Sequence, residues 1–299
     1  MPALQRIFIG MTVVRYNLPA LDILYKDLIQ RDTDSDMAFD HTDAVPPLEF
    51  KDRIELRDVV YYYPNTSTPA VNKLNLDIKS KTTVGFVGVT GSGKTTTVDI
   101  ILGLLSPTKG QLIVDGTEIN PSNLRSWQKN LGYVPQSIYL TDDTVMRNIA
   151  FGIRDRDIDS KAVERAAQIA NLHDFIMHDL PDGYNTVVGE RGVRLSGGQR
   201  QRIGIARALY NDPKVLIFDE ATSALDGITE NAIMEAIQNI SRKKTIIMIA
   251  HRLTTVQECD VIYMLEQGKV TARGTYSELI ESSSQFRRMA NVSNPGPAL

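Results

Sequence analysis

Cys259 is the only cysteine in the 299-residue chain. No disulfide can close within the chain, and neither a secreted disulfide scaffold nor a cysteine zinc site fits. A reducing, cytosolic setting is the expectation. An excess of one charge is also missing: 33 basic residues stand against 36 acidic ones, a net charge of −3. Nucleic-acid binders usually show a basic face, so no nucleic acid is expected as a partner. No run approaches the ~20 consecutive apolar residues of a membrane span. The best stretch, "IFIGMTVV" at 7–14, is short and follows Gln5 and Arg6. No small-residue cleavage pattern follows it, so the start does not read as a signal peptide. A chain that does not itself cross a membrane is expected, and no internal repeat is visible. What is present, 42% hydrophobic residues, suffices to bury one sizeable core or two modest ones.

Leu4, Ile7, Met11, Val14, Leu18, Leu21, Tyr25 and Leu28 recur every three or four positions, which predicts an amphipathic helical extension over 1–30. Packing on a partner and docking on the chain's own core fit that stripe equally. Pro19 removes a donor and disfavours helix at Leu18, so two segments joined at Asn17–Leu18 are expected. Residues 31–48 are acidic and contain Pro46 and Pro47, the composition of a linker. A domain over 49–290 follows. "IELRDVVYYY" and "AVNKLNLDI" alternate as strands around a turn, "PNTSTP". "TVGFVG" (83–88), "KVLIF" (214–218) and "TIIMIA" (245–250) are short apolar runs of the buried parallel kind. A helix with Val98, Ile101, Leu102 and Leu105 on one face follows the first, and one with Ile233, Ile237 and Ile240 follows the second. Strand, helix, strand, helix implies a doubly wound parallel sheet. Residues 137–211 read as a mostly helical lobe, and 291–299 as a disordered tail.

"GVTGSGKT" (Gly88–Thr95) matches the phosphate-loop pattern between a buried strand and an amphipathic helix. Its glycines let backbone amides face an anion, and the helix start adds partial positive charge. Gly88, Thr90, Gly91, Ser92 and Gly93 then cradle phosphates, Lys94 reaches the β and γ groups, Thr95 ligates magnesium, and Thr96 adds a phosphate contact. At a glycine usage of about 7%, a chance match in a chain this long is on the order of one in a hundred. "KVLIFDE" delivers two carboxylates to the C-terminal end of a strand, where open parallel sheets bind ligands. Asp219 is the candidate magnesium ligand and Glu220 the candidate general base; as the plain alternative, Glu220 caps the next turn. His251 emerges at the same edge. A lone histidine there is more often structural, but beside this set it is a candidate donor to the γ phosphate. Gln136, otherwise an ordinary loop residue, is placed to reach magnesium or the attacking water. Tyr63 is the candidate adenine platform; Tyr61 and Tyr62 compete, and Pro64 favours Tyr63. "RLSGGQRQR" (194–202) looks like a second anion-binding turn. Ser196 offers a hydroxyl, Gly197 and Gly198 allow close approach, and a helix opening at Gln199 aims amides outward.

"GVTGSGKTT", "YVPQ", "LSGGQRQR", "KVLIFDE", "SALD" and "IAHR", in this order, resemble the nucleotide-binding domain of ABC transporters over roughly 49–290. The resemblance implies an α/β P-loop NTPase core with a mostly parallel sheet, an antiparallel β subdomain and a separate helical lobe. It further implies ATP with Mg2+ and a head-to-tail homodimer, each ATP held between the phosphate loop of one copy and the signature turn of the other. Asp226 of "SALD" would then cross the interface. "TVVGERG" (186–192), with Glu190, resembles the exporter segment that contacts transmembrane parts, and the N-terminal extension resembles the end of an exporter's last transmembrane helix and its elbow. A transmembrane domain of the same transporter, at the cytoplasmic face, is the implied partner. "SIYLTDDTVMRNIAFG" and "CDVIYMLEQGKV" resemble bacterial flippases for lipid-linked oligosaccharides. Two other classes compete. A DNA-repair ATPase would need a long heptad insertion between Lys94 and Ser196, and a translation factor usually has two nucleotide domains and a basic linker. A nucleotide kinase leaves "LSGGQ" unexplained.

Overall fold

A computed structural model of the chain describes residues 2–34, 46–189, 192–193, 195–220, 230, 234–235, 237–238, 240–250 and 252–293. The chain divides into two units, Met1–Val45 and Pro46–Leu299.

In the first unit, helix α1 runs unbroken from Pro2 to Asp34 with Pro19 inside it. The break expected at Asn17–Leu18 is absent, and the helix passes residue 30, where the extension was expected to end. Proline costs one donor, the one the Arg15 carbonyl would have received, and the helix carries through that loss. The apolar side chains form no single stripe. Ile7, Phe8 and Ile9 stand about 100° apart around the axis, and they are 60%, 73% and 57% exposed. A surface apolar all round is the pattern of a buried or membrane-crossing helix rather than an amphipathic one. By length and composition Pro2–Lys26, which contains an 18-residue window of mean hydropathy 1.4, is long and apolar enough to cross a membrane. Arg15 and Asp22 interrupt the apolar run, but a helix averages them over its length. Of the expected linker, 31–34 belong to α1 and 35–45 lie outside the described residues.

In the second unit, β1 (Arg53–Tyr61), β2 (Val71–Lys79), β4 (Lys109–Val114) and β5 (Thr117–Glu118) form an antiparallel sheet of order β2-β1-β4-β5. The other sheet has the order β10-β9-β3-β8-β7-β6. Its strands β3 (Thr83–Val87), β6 (Leu131–Val134), β7 (Val215–Asp219), β8 (Thr245–Ile249) and β9 (Val261–Glu266) are parallel, and β10 (Lys269–Gly274) closes one edge antiparallel. β3, β7 and β8 are buried at every position, which is why they read as unbroken apolar runs. Alternate residues face opposite sides. Val215 and Ile217 pack with Val98 and Ile101 of α2 (Lys94–Ile101), while Leu216 and Phe218 pack with Ile203 and Ala206 on the other face. That second face continues into the helices α4 (Val145–Ile149), α5 (Ser160–Ile169), α6 (His173–Asp179) and α7 (Gly197–Leu209) through Val163, Ala166 and Ile176. Between the two comes α3 (Leu124–Gln128), whose Trp127 donates to the Ile101 carbonyl oxygen at 2.8 Å. Of the helix expected after β7, Ile233 lies outside the described residues, whereas Ile237 and Ile240 are buried. The C-terminal helix Ser284–Ser293 enters the stretch expected to be disordered; 294–299 lie outside the described residues.

Candidate nucleotide site

β3 ends at Val87, and the chain then turns through Gly88 to start α2 at Lys94. Gly88 has φ 150°, and a Cβ there would run into the Leu265 carbonyl oxygen; Gly93 has φ 99°, and its Cβ would sit 2.6 Å from the Ala70 carbonyl oxygen. Only glycine fits either place. The turn borders a cavity of about 230 Å³. Thr90, Gly91, Ser92, Gly93, Lys94, Thr95 and Thr96 line it from the loop and helix, and Tyr63 and Glu220 reach it from elsewhere. Gly88 is not among the residues that line it.

Lys94, only 5% exposed, donates from Nζ to the carbonyl oxygens of Gly88 at 2.8 Å and Val89 at 3.1 Å. Burial pulls its ammonium pKa below the ordinary lysine value, against the pull of the Glu220 and Asp219 carboxylates. Asp219 ends β7 and is buried. Burial and then the Glu220 charge push its pKa up, and a hydrogen bond from Tyr133, 3.3 Å from OH to Oδ2, acts the other way. Burial and the Asp219 charge push the Tyr133 pKa up, so the phenol keeps its proton. Glu220 has φ 50°, and its amide donates to the Ile249 carbonyl oxygen at 3.0 Å, which ties the strained residue to β8. Gln136, following β6, donates from Nε2 to Glu220 Oε2 at 2.7 Å. Two residues far apart in the chain thus meet at one sheet edge.

Of the three tyrosines, Tyr63 lines the cavity; its hydroxyl shares a 3.1 Å hydrogen bond with Thr96 Oγ1, and the Tyr61 ring stands edge-on to it with centroids 5.2 Å apart. Ser196, Gly197, Gly198 and Gln199 are not among the residues lining this cavity. The helix there opens at Gly197, two residues before the expected Gln199, because Ser196 is its N-cap. Gln199 donates its amide to Ser196 Oγ at 3.2 Å, and Ser196 donates its own to Gln199 Oε1 at 2.7 Å. This is a capping box, legible in S-x-x-Q though not read there. His251, Asp226 and Glu190 lie outside the described residues. Tyr133 escaped the sequence reading because a tyrosine in a short strand signals packing until its partner is seen.

The hydroxyl of Thr95, the amide oxygen of Gln136 and the carboxylate of Asp219 are hard oxygen donors, the chemistry magnesium prefers. Among the described residues no cluster of three or more His, Cys, Asp or Glu is placed to hold an ion unaided. That donor set fits an ion shared with phosphate oxygens, which magnesium commonly is.

A phosphate loop between β3 and α2, with a carboxylate pair closing the neighbouring strand of a mostly parallel sheet, defines a P-loop nucleotide hydrolase. Residues 71–223 match the family described as ABC transporter, and the chain belongs to that family as a nucleotide-binding ATPase domain. A multidrug export ATP-binding/permease protein of Staphylococcus aureus is 42% identical over 249 residues, 83% of this chain and 43% of the relative. An ABC multidrug transporter of Emericella nidulans is 41% identical over 244 residues, 81% of this chain and 18% of the relative. The chain therefore spans less than half the length of these relatives. A solved bacterial Atm1-family ABC exporter with ATP bound superposes with a TM-score of 0.78 at 32% identity, covering 96% of this chain and 51% of that one.

Proposed function

We propose that this chain is the ATP-driven part of an exporter. It binds Mg2+ and ATP at the opening of α2, pairs head to tail with a second copy around two nucleotides, and hydrolyses them to drive transport through a transmembrane domain. The observation that carries the reading is the Gln136–Glu220 hydrogen bond at the rim of the cavity that Lys94 and Thr95 line. It sets a carboxylate base and a water-orienting amide beside the place of a terminal phosphate.

In this reading Tyr63 stacks on the adenine, the amides of Thr90 to Gly93 bind phosphate oxygens, and Thr96 adds a contact. Lys94 leaves the loop carbonyls for the β and γ phosphates. Thr95, Asp219 and Gln136 would hold magnesium, which when bound would neutralise charge on the phosphates. Glu220 accepts a proton from water as the water oxygen bonds to the γ phosphorus and the bond to the β–γ bridging oxygen breaks, leaving ADP and phosphate. His251 donates to the γ oxygens. The partner's signature turn, residues 196–199, closes over the γ phosphate. Asp226 joins the two sites, and Glu190 contacts the transmembrane part.

The domain works at the cytoplasmic face, and α1 continues a membrane helix. For the cargo, the relatives named as multidrug exporters favour a multidrug range. A lipid-linked glycan is the second reading, favoured by the flippase-like stretches 137–152 and 259–270.

Glu220→Gln should bind ATP as tightly as the parent, hydrolyse it about 10²–10⁴-fold more slowly, and elute as a longer-lived dimer with Mg2+ and ATP. Rapid turnover by this variant would remove Glu220 as the base. Unchanged ATP affinity in Lys94→Ala would remove the phosphate-loop assignment.

A further inference from the structure

Strand alternation puts Tyr133 and Asp219 on one side of the sheet. Tyr133 pairs with Ile217 across the β6–β7 ladder, and Asp219 lies two residues beyond Ile217, so all three side chains face α2. The phenol extends toward the C-terminal end of the strands and meets Asp219 Oδ2 at 3.3 Å. Among the described residues this is the hydrogen bond recorded for the Asp219 side chain, which is 7% exposed. A carboxylate held at one oxygen by a fixed donor has its plane set and presents the other oxygen. Metal ligands are commonly oriented by such outer partners, whose loss costs about 10–100-fold in metal affinity or activity.

We infer that Tyr133 is a positioning residue for magnesium: its hydroxyl fixes the Asp219 carboxylate in the orientation that accepts the nucleotide-bound ion. The inference rests on the ATP-site reading above and adds to it a residue outside the cavity lining. Phenylalanine at 133 keeps the ring between β6 and α2 and removes only the donor. A purely packing role for the ring would survive that change.

The test uses the full chain in the Glu220→Gln background, with Mn2+ as the spectroscopic stand-in. Mn2+ affinity is read by electron paramagnetic resonance in the presence of ATP, and ATP affinity is read separately in EDTA. Tyr133→Phe should weaken Mn2+ binding about tenfold and leave metal-free ATP affinity and the melting midpoint unchanged. Added to Asp219→Asn, it should cause no further loss. Unchanged Mn2+ affinity, an equal loss in the Asp219→Asn background, or a parallel loss of metal-free ATP binding would each overturn the inference. Lys94→Ala separates the two readings. If it binds ATP normally, the site assignment falls; if it does not and Tyr133→Phe is silent, only the role of Tyr133 falls.

Discussion

Glu220 holds a left-handed backbone, φ 50°, that costs a non-glycine residue on the order of 1–3 kcal/mol. The hydrogen bond from its amide to Ile249 and the one from Gln136 to its carboxylate offset that cost and aim the side chain at the cavity. Asp99 is a different kind of compromise. It sits in the last turn of α2, where the helix dipole disfavours a negative charge, and burial pushes its pKa above the ordinary carboxylate value. A group whose folded pKa exceeds its unfolded pKa is stabilising only when protonated, so the ionised Asp99 costs stability at neutral pH. Asp99→Asn should therefore raise stability at pH 7 by about 0.3–1 kcal/mol. The gain should shrink as pH falls through the raised pKa and disappear below the ordinary carboxylate range. Urea melts at pH 7 and pH 4 check this; a gain independent of pH would refute the charge argument.

The opening of α7 is held by its own side chains. Ser196 caps the helix, and Gln199 caps the cap, so the turn is rigid before any nucleotide or partner meets it. Ser196→Ala should cost about 1 kcal/mol of stability in chemical denaturation. If the same hydroxyl also closes over a partner's γ phosphate, ATP hydrolysis should fall by more than that lost stability explains, and Mg2+-ATP dimerisation should weaken. An ATPase rate that followed stability alone would leave Ser196 as a cap and nothing more. β3, β7 and β8 show the complementary case, fully buried strands that hold Lys94, Asp219 and Glu220 at one edge.

Across the whole molecule, the two units differ in kind. Among the described residues, the second unit buries apolar clusters on both faces of the parallel sheet, whereas α1 displays Phe8, Met11, Tyr16 and Leu24 at 73%, 67%, 84% and 58% exposure. So much apolar surface asks for lipid or a partner helix. The full chain should co-sediment with phospholipid vesicles, and a chain lacking residues 1–45 should not. The melting midpoint of the remaining unit should be the same in both. Equal sedimentation of the two would place the membrane affinity elsewhere.

Much of the site was readable beforehand because its chemistry is local. A phosphate loop needs its glycines, lysine and threonine in consecutive positions, and a buried strand ending in two carboxylates announces itself in seven letters. The alternation of buried strands and helices likewise carried the parallel sheet. Contacts between distant segments were not readable that way. The grip of Gln136 on Glu220, the phenol of Tyr133 behind Asp219 and the choice of Tyr63 among its neighbours depend on strand order and register, which bring residues together that the chain keeps more than thirty positions apart. The helix through Pro19 belongs to the same group: the local signal at Asn17–Leu18 points to a break, and only the assembled helix shows that the chain carries through it.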